Sequence, residues 1–165
     1  TQMFTLCLMS WGTPILVWAF FFYFGVPQLI GHSVNIWVAG ALTLSLNSGA
    51  YLAEIVRGAV QSVDSGQMEG ARSLGLNHRQ AMRRVILPQA SKIAMPSIIN
   101  QLVIMIKDSS LLLAIGFGEL LYQAQQLYAA NFRVTETLLI VGVMYFVAIT
   151  ILTWLANIVD RKVNR

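Results

Sequence analysis

The sequence predicts an all-α membrane protein, a helical bundle with several spans, from three observations. Of its 165 residues, 56% are hydrophobic and only 11% are charged, whereas about a quarter of the residues in a soluble domain are charged. No Asp, Glu, Lys or Arg occurs from Thr1 through Ala53. Four windows of roughly 20 residues are apolar enough to cross a bilayer core of about 30 Å as helices.

The four predicted spans are residues 13–30, 35–55, 93–117 and 136–159. At the start of the first, Thr13 is a candidate helix cap. Pro14 suits the first turn because its missing N–H would be unpaired there anyway. Pro27 and Gly31 are expected to close this span. Each window is apolar on most sides, which favours helices surrounded by lipid or by other helices.

The basic residues predict the orientation of the bundle. The net charge is +4, and six of the eleven basic residues lie between the second and third spans, in residues 57–92, at Arg57, Arg72, Arg79, Arg83, Arg84 and Lys92. Three more lie in the tail, at Arg161, Lys162 and Arg165. Because Lys and Arg concentrate in cytoplasmic loops, both segments are expected in the cytoplasm, and loops 25–34 and 118–135 outside. The charge therefore requires no nucleic-acid partner.

Metal, cofactor and nucleotide sites are not expected on this chain. Cys7 is its single cysteine, which excludes an internal disulfide and a zinc framework. His32 has no Cys, His or carboxylate companion nearby in the sequence. No phosphate loop of the Gly-x-x-x-x-Gly-Lys-Ser/Thr type occurs, and Gly116-Phe117-Gly118 lacks the third glycine of a dinucleotide-binding motif. The chain is therefore expected to be neither an ATPase nor another enzyme.

Within the polar segment, residues 65–75 predict a short helix. Gly75 stands just past its end, where glycine supplies a left-handed cap, and Leu76 can then pack back on the helix. Glu69 and Arg72 have the i, i+3 spacing that places two side chains next to each other. The small residues between them leave room for another surface to approach the backbone closely.

A second short helix is predicted directly after the first. Asn77, with Gln80 three positions later, has the capping-box pattern that begins a helix. Pro88 disfavours helix at the residue before it, so this helix is expected to stop near Ile86. The pair of helices is consistent with a contact site for another protein. It is equally consistent with an amphipathic hairpin that lies on the membrane surface.

These motifs resemble a known family. The sequence Glu69-Gly70-Ala71, then Gly75, then Ile86-Leu87-Pro88 is similar to the EAA loop of permease subunits in bacterial ABC importers. Other stretches resemble the polar amino acid branch, glutamine-type permeases in particular, and follow in the same order along nearly the whole chain: Gly12-Thr13-Pro14, residues 47–55, Arg57-Gly58-Ala59, residues 85–90 and residues 107–111. The resemblance implies a multi-span helical bundle of the ABC importer permease type with a cytoplasmic coupling helix.

The resemblance also implies partners. The short helix would seat in a groove of a separate ATPase subunit, which binds the ATP and Mg, while this chain binds no cofactor. Its expected contact residues are Gln67, Glu69, Gly70, Ala71, Arg72, Leu74, Gly75 and Leu76. The other implied partners are a second permease chain, identical or different, an extracytoplasmic solute-binding protein, membrane lipid and a polar amino acid. The implied location is the bacterial plasma (inner) membrane.

The sequence departs from the family pattern in three places. Gly70 occupies the middle of the EAA triplet, where Ala is usual, and this loosens the helix by roughly 1 kcal/mol. Trp11 precedes Gly12 where the family commonly has Arg. Such permeases also have a further span before the first one predicted, and residues 3–9 resemble its end. The chain is therefore expected to lack an N-terminal span.

Polar residues at membrane depth predict the substrate path. Lys107 and Asp108 lie a little past the middle of the third span, where each charge costs about 2.5–3.5 kcal/mol. Neighbours on a regular helix point about 100° apart, so we expect partners on other spans or a local break in the helix. A salt-bridge cluster that only fixes packing is the alternative. The full expected path is Gly12, Thr13, Pro14, Asn47, Lys107, Asp108 and Ser109.

Two further polar positions have ordinary structural explanations. Asn47 is as well explained by a hydrogen bond between helices, worth around 1 kcal/mol, as by a substrate contact. Glu54 and Arg57 are spaced for a solvated ion pair near the cytoplasmic interface.

Three functions compete for this sequence. The leading one is the transmembrane permease subunit of an ATP-driven ABC importer for polar amino acids. The alternative is a secondary transporter or channel subunit that works without ATP, which would explain Lys107 and Asp108 but leave residues 69–88 without a role. A membrane anchor or assembly factor would predict that the intramembrane charges are replaceable without loss of transport.

Overall fold

A computed structural model describes residues 12–163, with the side chains of residues 159–163 excepted. Residues 3–9, expected as the end of a further span, and Trp11 lie outside this range. Within it the chain forms helices and no strand, which confirms the all-α fold class. In chain order the helices are α1 (Ile15–Ile30), α2 (Ile36–Gln61), α3 (Ser65–Ser73), α4 (His78–Ile115), α5 (Leu120–Asn131) and α6 (Val134–Val163).

Three helical stretches in the described part of the chain are long and apolar enough to cross a membrane. They are α2, α4 and the Val134–Ile158 part of α6. The helix α1 is apolar but shorter, and with a rise of 1.5 Å per residue it measures roughly 24 Å, less than a bilayer core of about 30 Å. Of the helices that correspond to the four predicted spans, the first, α1, is therefore the shortest.

The start of α1 differs from the expectation. Pro14, with φ −57° and ψ 140°, occupies the capping position, and no side chain caps the helix. The first turn closes when the Val17 N–H donates to the Pro14 carbonyl over 2.9 Å. Thr13 therefore does not cap α1, because the cap is the residue directly before the first helical one and Pro14 takes that place. At α2 the Asn35 side chain does cap, accepting from the Trp37 N–H over 2.8 Å.

Two prolines that were expected to end helices lie inside them instead. A π-helical turn at Phe21–Gly25 precedes Pro27, and another at Met82–Ile86 precedes Pro88. Each proline stands in the first turn of the α-helical stretch that follows the π turn. Proline lacks an N–H and crowds the carbonyl four residues earlier, and the extra residue of a π turn already interrupts that hydrogen-bond pattern. The helix from His78 therefore does not stop near Ile86 but continues into the span.

Two apolar clusters hold α2 and α4 together. The Leu112 cluster consists of Ala19, Leu112 and Ile115, packed by Tyr23, Ile36, Leu44 and Phe117. The Ala90 cluster consists of Ala59, Ala90 and Ala94, packed by Ile55, Val60, Val63 and Ile98. Because the beginning of α2 meets the end of α4, the two helices run antiparallel. Small residues recur at these contacts because they let helices approach closely in a membrane.

Gly40 provides the space for the turn that follows α4. A Cβ atom at Gly40 would lie 2.5 Å from the Phe117 ring and 3.3 Å from Leu112. The Phe117 ring also packs against Trp37, with ring centroids 4.7 Å apart. We expect Gly40→Ala to lower the melting temperature of the purified protein by several degrees, because overpacking costs about 1–3 kcal/mol.

Adding Phe117→Leu to Gly40→Ala should recover most of that loss, since the smaller side chain leaves space for the new methyl group. A melting temperature unchanged by Gly40→Ala alone would contradict the close approach of Phe117.

Candidate functional site

Most of the expected path residues surround one cleft between the two apolar clusters. This central cleft has a volume of about 280 Å³ and is lined by Gly12, Thr13, Pro14, Ile15, Asn47, Tyr51 and Asp108. Lys107 and Ser109, also expected on the path, do not line it. The start of α1, the middle of α2 and the second half of α4 thus meet at the central cleft.

Asp108 supplies the charge in the central cleft. The residue is half-buried, and in the described part of the chain its carboxylate has neither an ion pair nor a hydrogen bond. A carboxylate at membrane depth without a partner is costly, and such residues usually face the bundle interior or a water-filled cavity. The central cleft therefore presents a free acceptor to a ligand that carries a positive charge.

The helix α4 changes its hydrogen-bonding pattern at Asp108. It is α-helical over Leu87–Asp108 and 3₁₀-helical over Ser109–Ile115. The Ser109 hydroxyl donates to the Ile106 carbonyl over 2.7 Å, and the Ser110 hydroxyl donates to the Lys107 carbonyl over 2.6 Å. The serine hydroxyls thus stabilise this transition in the backbone. A local break in the helix was one of the two arrangements expected from the adjacent charges of Lys107 and Asp108. Stretches of 3₁₀-helix within longer helices often mark hinges.

Lys107 points in a different direction from Asp108. The Lys107 side chain is exposed, whereas the Asp108 side chain is half-buried. The two differ because neighbouring side chains on a helix point about 100° apart. No ion pair joins either residue to the other or to any other described residue. Within the described chain, the two charges therefore do not form a salt-bridge cluster that fixes packing.

Asn47 and Tyr51 lie one turn apart on α2 and both line the central cleft. Asn47 is only 6% exposed, and its side chain forms no hydrogen bond with another described residue. The hydrogen bond between helices considered for Asn47 is thus not formed within this range. Its amide remains available to the central cleft.

The short helix α3 is capped at both ends. Asp64 Oδ1 accepts from the Gly66 N–H over 2.7 Å at its start. At its end Gly75 has a φ of 87°, the Leu76 N–H donates to the Ala71 carbonyl, and the Gly75 N–H donates to the Arg72 carbonyl. This pair of hydrogen bonds is the Schellman motif. The structure confirms both the short helix and its left-handed glycine cap.

The capping box that begins α4 is also formed. The Gln80 N–H donates to Asn77 Oδ1 over 2.9 Å, and the Asn77 N–H donates to Gln80 Oε1 over 3.0 Å. Only Leu76 lies between the Gly75 cap of α3 and this box, so the turn between the two helices is closely determined by local hydrogen bonds.

The helix α3 packs on α4 by one side and exposes the rest. Ala71 is buried, and Gln89 Nε2 on α4 donates to Gln67 Oε1 over 3.2 Å. Leu76 is half-buried, and the remaining expected coupling residues are exposed: Gln67, Glu69, Gly70, Arg72, Leu74 and Gly75. Glu69 and Arg72 do not form an ion pair within the described chain. Leu74 is 86% exposed, which leaves a large apolar side chain free for a partner.

Glu54 and Arg57 form the predicted ion pair. The Arg57 guanidinium donates to both carboxylate oxygens of Glu54, and its Nη1 also donates to Gln61 Oε1 over 2.9 Å. Both side chains are partly or largely exposed, so this pair contributes little to stability.

A contact between Glu119 and Tyr145 was not predicted from the sequence. Glu119 caps α5 by accepting from the N–H groups of Leu121 and Tyr122, and the Tyr145 hydroxyl of α6 donates to it over 2.9 Å. The cap itself could have been predicted, because an acidic residue directly before an apolar run favours the start of a helix. The link to Tyr145 spans 26 residues and had no local signal.

No metal site is found in the described part of the chain. Among the side chains of residues 12–158, no three of His, Cys, Asp or Glu come together as metal ligands would.

Comparison with known proteins identifies relatives along almost the whole chain. Residues 2–165 match the family described as the binding-protein-dependent transport system inner membrane component. The arginine transport system permease protein of Bacillus subtilis (strain 168) is 39% identical over 153 residues, which cover 93% of this chain and 70% of that protein. The glutamine transport system permease protein of Escherichia coli (strain K12) is 39% identical over 154 residues, with shares of 93% and 70%.

A solved structure has the same fold. It is a crystal structure of an amino acid ABC transporter with histidines, which matches with a TM-score of 0.90 and 37% identity over 96% of this chain and 73% of that one. The resemblance read from the EAA-like motifs is thereby confirmed, and because permease subunits are not themselves enzymes, this chain is not one. The chain belongs to the family of binding-protein-dependent transport system inner membrane components, as a permease subunit of an amino acid ABC transporter.

Proposed function

We propose that this subunit forms the path by which an ATP-driven importer in a bacterial plasma membrane moves a polar amino acid into the cytoplasm. The observation that carries the proposal is the carboxylate of Asp108 in the central cleft, which has no partner among the described residues. Every amino acid carries an α-ammonium group that can pair with it. The Asn47 amide and the Thr13 hydroxyl add hydrogen-bonding groups for the substrate. Relatives named for arginine and glutamine transport support a polar substrate.

The helix α3 is the proposed contact with a separate ATPase subunit, which binds ATP and Mg. Its contact residues would be the eight expected from the sequence. The exposed residues among them would touch the ATPase directly, whereas the buried Ala71 would act through its packing on α4. Since Gln67 is hydrogen-bonded to Gln89 on α4, a displacement of α3 acts on the helix that carries Asp108. The π turn at Met82–Ile86 and the 3₁₀ stretch at Ser109–Ile115 are the places where α4 can bend.

The remaining proposed partners follow from the surface of the bundle. The apolar part of α6 is only 6% buried within the chain, and an apolar surface of that extent needs lipid or a second permease chain, identical or different, to cover it. A solute-binding protein would deliver the amino acid to the outer side, where α5 lies.

The proposed orientation can be tested with single cysteines. In a Cys7→Ser background, Arg79→Cys should resist a membrane-impermeant maleimide added to intact cells, while Asn131→Cys should react. The expectation rests on the concentration of basic residues in the segment that contains α3. Labelling at position 79 but not at position 131 would reverse the topology.

The ATP requirement separates the importer from its alternative. Proteoliposomes that contain the permease, its ATPase and its solute-binding protein should take up radiolabelled arginine, glutamine or histidine only when ATP is on the side of α3. The control replaces ATP by a nonhydrolysable analogue. Uptake that continues without ATP and stops when an ion gradient is abolished would favour an ATP-independent secondary transporter.

A further inference from the structure

A second cleft lies at the beginning of α4, away from the substrate path. It has a volume of about 630 Å³ and is lined by Asn77, Arg79, Gln80, Arg83 and Arg84. We call it the arginine cleft. Among the described side chains, no carboxylate lines it, and no residue of α3 does. The arginine cleft therefore shares no residue with the surface that α3 offers to an ATPase.

The three arginines carry uncompensated charge. All three are exposed, and in the described part of the chain none of them forms an ion pair or donates a side-chain hydrogen bond. They stand within about two helical turns, so their like charges repel one another. The lowest-energy occupant of such a cleft is an anion with several acceptor oxygens, because each guanidinium presents a rigid fork of N–H donors.

The frame of the arginine cleft is already ordered. Asn77 and Gln80 are held by the reciprocal hydrogen bonds of the capping box. Ala81 and Ile86 are buried, at 0% and 4% exposure, which fixes the opposite side of this part of α4. Anion binding here therefore requires little rearrangement of the backbone.

The arginine cleft lies close to the membrane-spanning part of α4. Leu87 and Ile93 are exposed apolar residues, at 43% and 47%, with Lys92 exposed beside Ile93. Leu87 is three residues beyond Arg84, or about 4.5 Å along the helix axis. A basic cluster directly cytoplasmic of a span lies at the level of lipid headgroups and attracts anionic lipids.

We infer that the arginine cleft binds the phosphate group of an anionic phospholipid in the cytoplasmic leaflet. The lining amides of Asn77 and Gln80 can contact the polar part of the headgroup, and the acyl chains would extend along the exposed apolar residues that begin with Leu87. The occupied cleft would hold the base of α4 at the level of the lipid headgroups. The inference does not depend on the substrate of the central cleft.

The test counts the lipids that stay on the protein. The transporter assembled with its ATPase subunits is purified in detergent, exposed to phosphatidylglycerol or phosphatidylcholine, and analysed by native mass spectrometry. Wild type should retain phosphatidylglycerol in preference to phosphatidylcholine. The double change Arg83→Gln with Arg84→Gln should reduce retained phosphatidylglycerol at least fivefold.

Two controls make the result specific. The change Arg83→Lys with Arg84→Lys keeps the charge and should retain at least half of the phosphatidylglycerol, and Arg133→Gln removes a charge elsewhere and should retain all of it. Undiminished phosphatidylglycerol on the Gln double variant would overturn the inference. So would equal retention of phosphatidylglycerol and phosphatidylcholine by wild type together with binding of inorganic phosphate that the Gln double variant loses, which would assign the cleft to a free anion. Loss of ATPase subunits with phosphatidylglycerol still bound would make the cleft a protein contact and also overturn it.

Discussion

Asp108→Asn is expected to reduce amino acid uptake by the assembled transporter at least tenfold. The change keeps the size of the side chain and removes the charge that faces the central cleft. A hydrogen bond to a charged group contributes about 1.5–3 kcal/mol, which corresponds to roughly a 10- to 150-fold effect on substrate binding. Uptake of radiolabelled amino acid into proteoliposomes at a substrate concentration below saturation measures this loss.

Assembly should not suffer from Asp108→Asn. The carboxylate has no protein partner within the described chain, so its neutralisation leaves no opposite charge unpaired. Lys107→Gln is the matched control: it alters the adjacent charge, which does not line the central cleft, and it should retain uptake within about threefold of wild type. If Asp108→Asn transports like wild type, or if Lys107→Gln fails to the same degree, the carboxylate is not the substrate contact.

Gly75→Trp is expected to abolish substrate-stimulated ATP hydrolysis while leaving the membrane bundle folded. At a φ of 87°, residues other than glycine are strained, although no described residue besides the two chain neighbours has an atom within 4 Å of a Cβ placed there. The left-handed conformation costs about 1–2 kcal/mol for an ordinary residue. The indole would therefore distort the end of α3. It would also project from the surface proposed to contact the ATPase subunit and would prevent that contact. ATP hydrolysis with and without the loaded solute-binding protein is the measurement.

Two smaller substitutions separate strain from bulk at this position. Gly75→Asn should keep most of the stimulation, because Asn accepts the left-handed conformation better than other residues. Gly75→Ala adds strain with almost no bulk and should lie between Asn and Trp. Full stimulation in Gly75→Trp would contradict the assignment of α3 as the coupling helix, since a bulky side chain at the joint would then have no effect.

Composition and local hydrogen bonding were enough to predict much of this protein. The charge-free stretch and the apolar windows indicated a helical membrane protein, because lipid permits few other structures. The caps at Gly75 and Asn77 were predictable because each depends on hydrogen bonds between residues within five positions. The Glu54–Arg57 pair was equally local, one helical turn apart.

The tertiary structure decided what depends on packing between distant residues. The prolines at positions 27 and 88 were expected to end helices, but π turns directly before them let the helices continue. Composition and spacing alone could not place Asp108 beside Asn47 and Thr13, because that neighbourhood depends on the register of α2 against α4, which Ala90, Leu112 and their clusters set. Local sequence determines whether a helix forms and where it is capped, while the contact surface between helices determines which polar groups meet in a cleft.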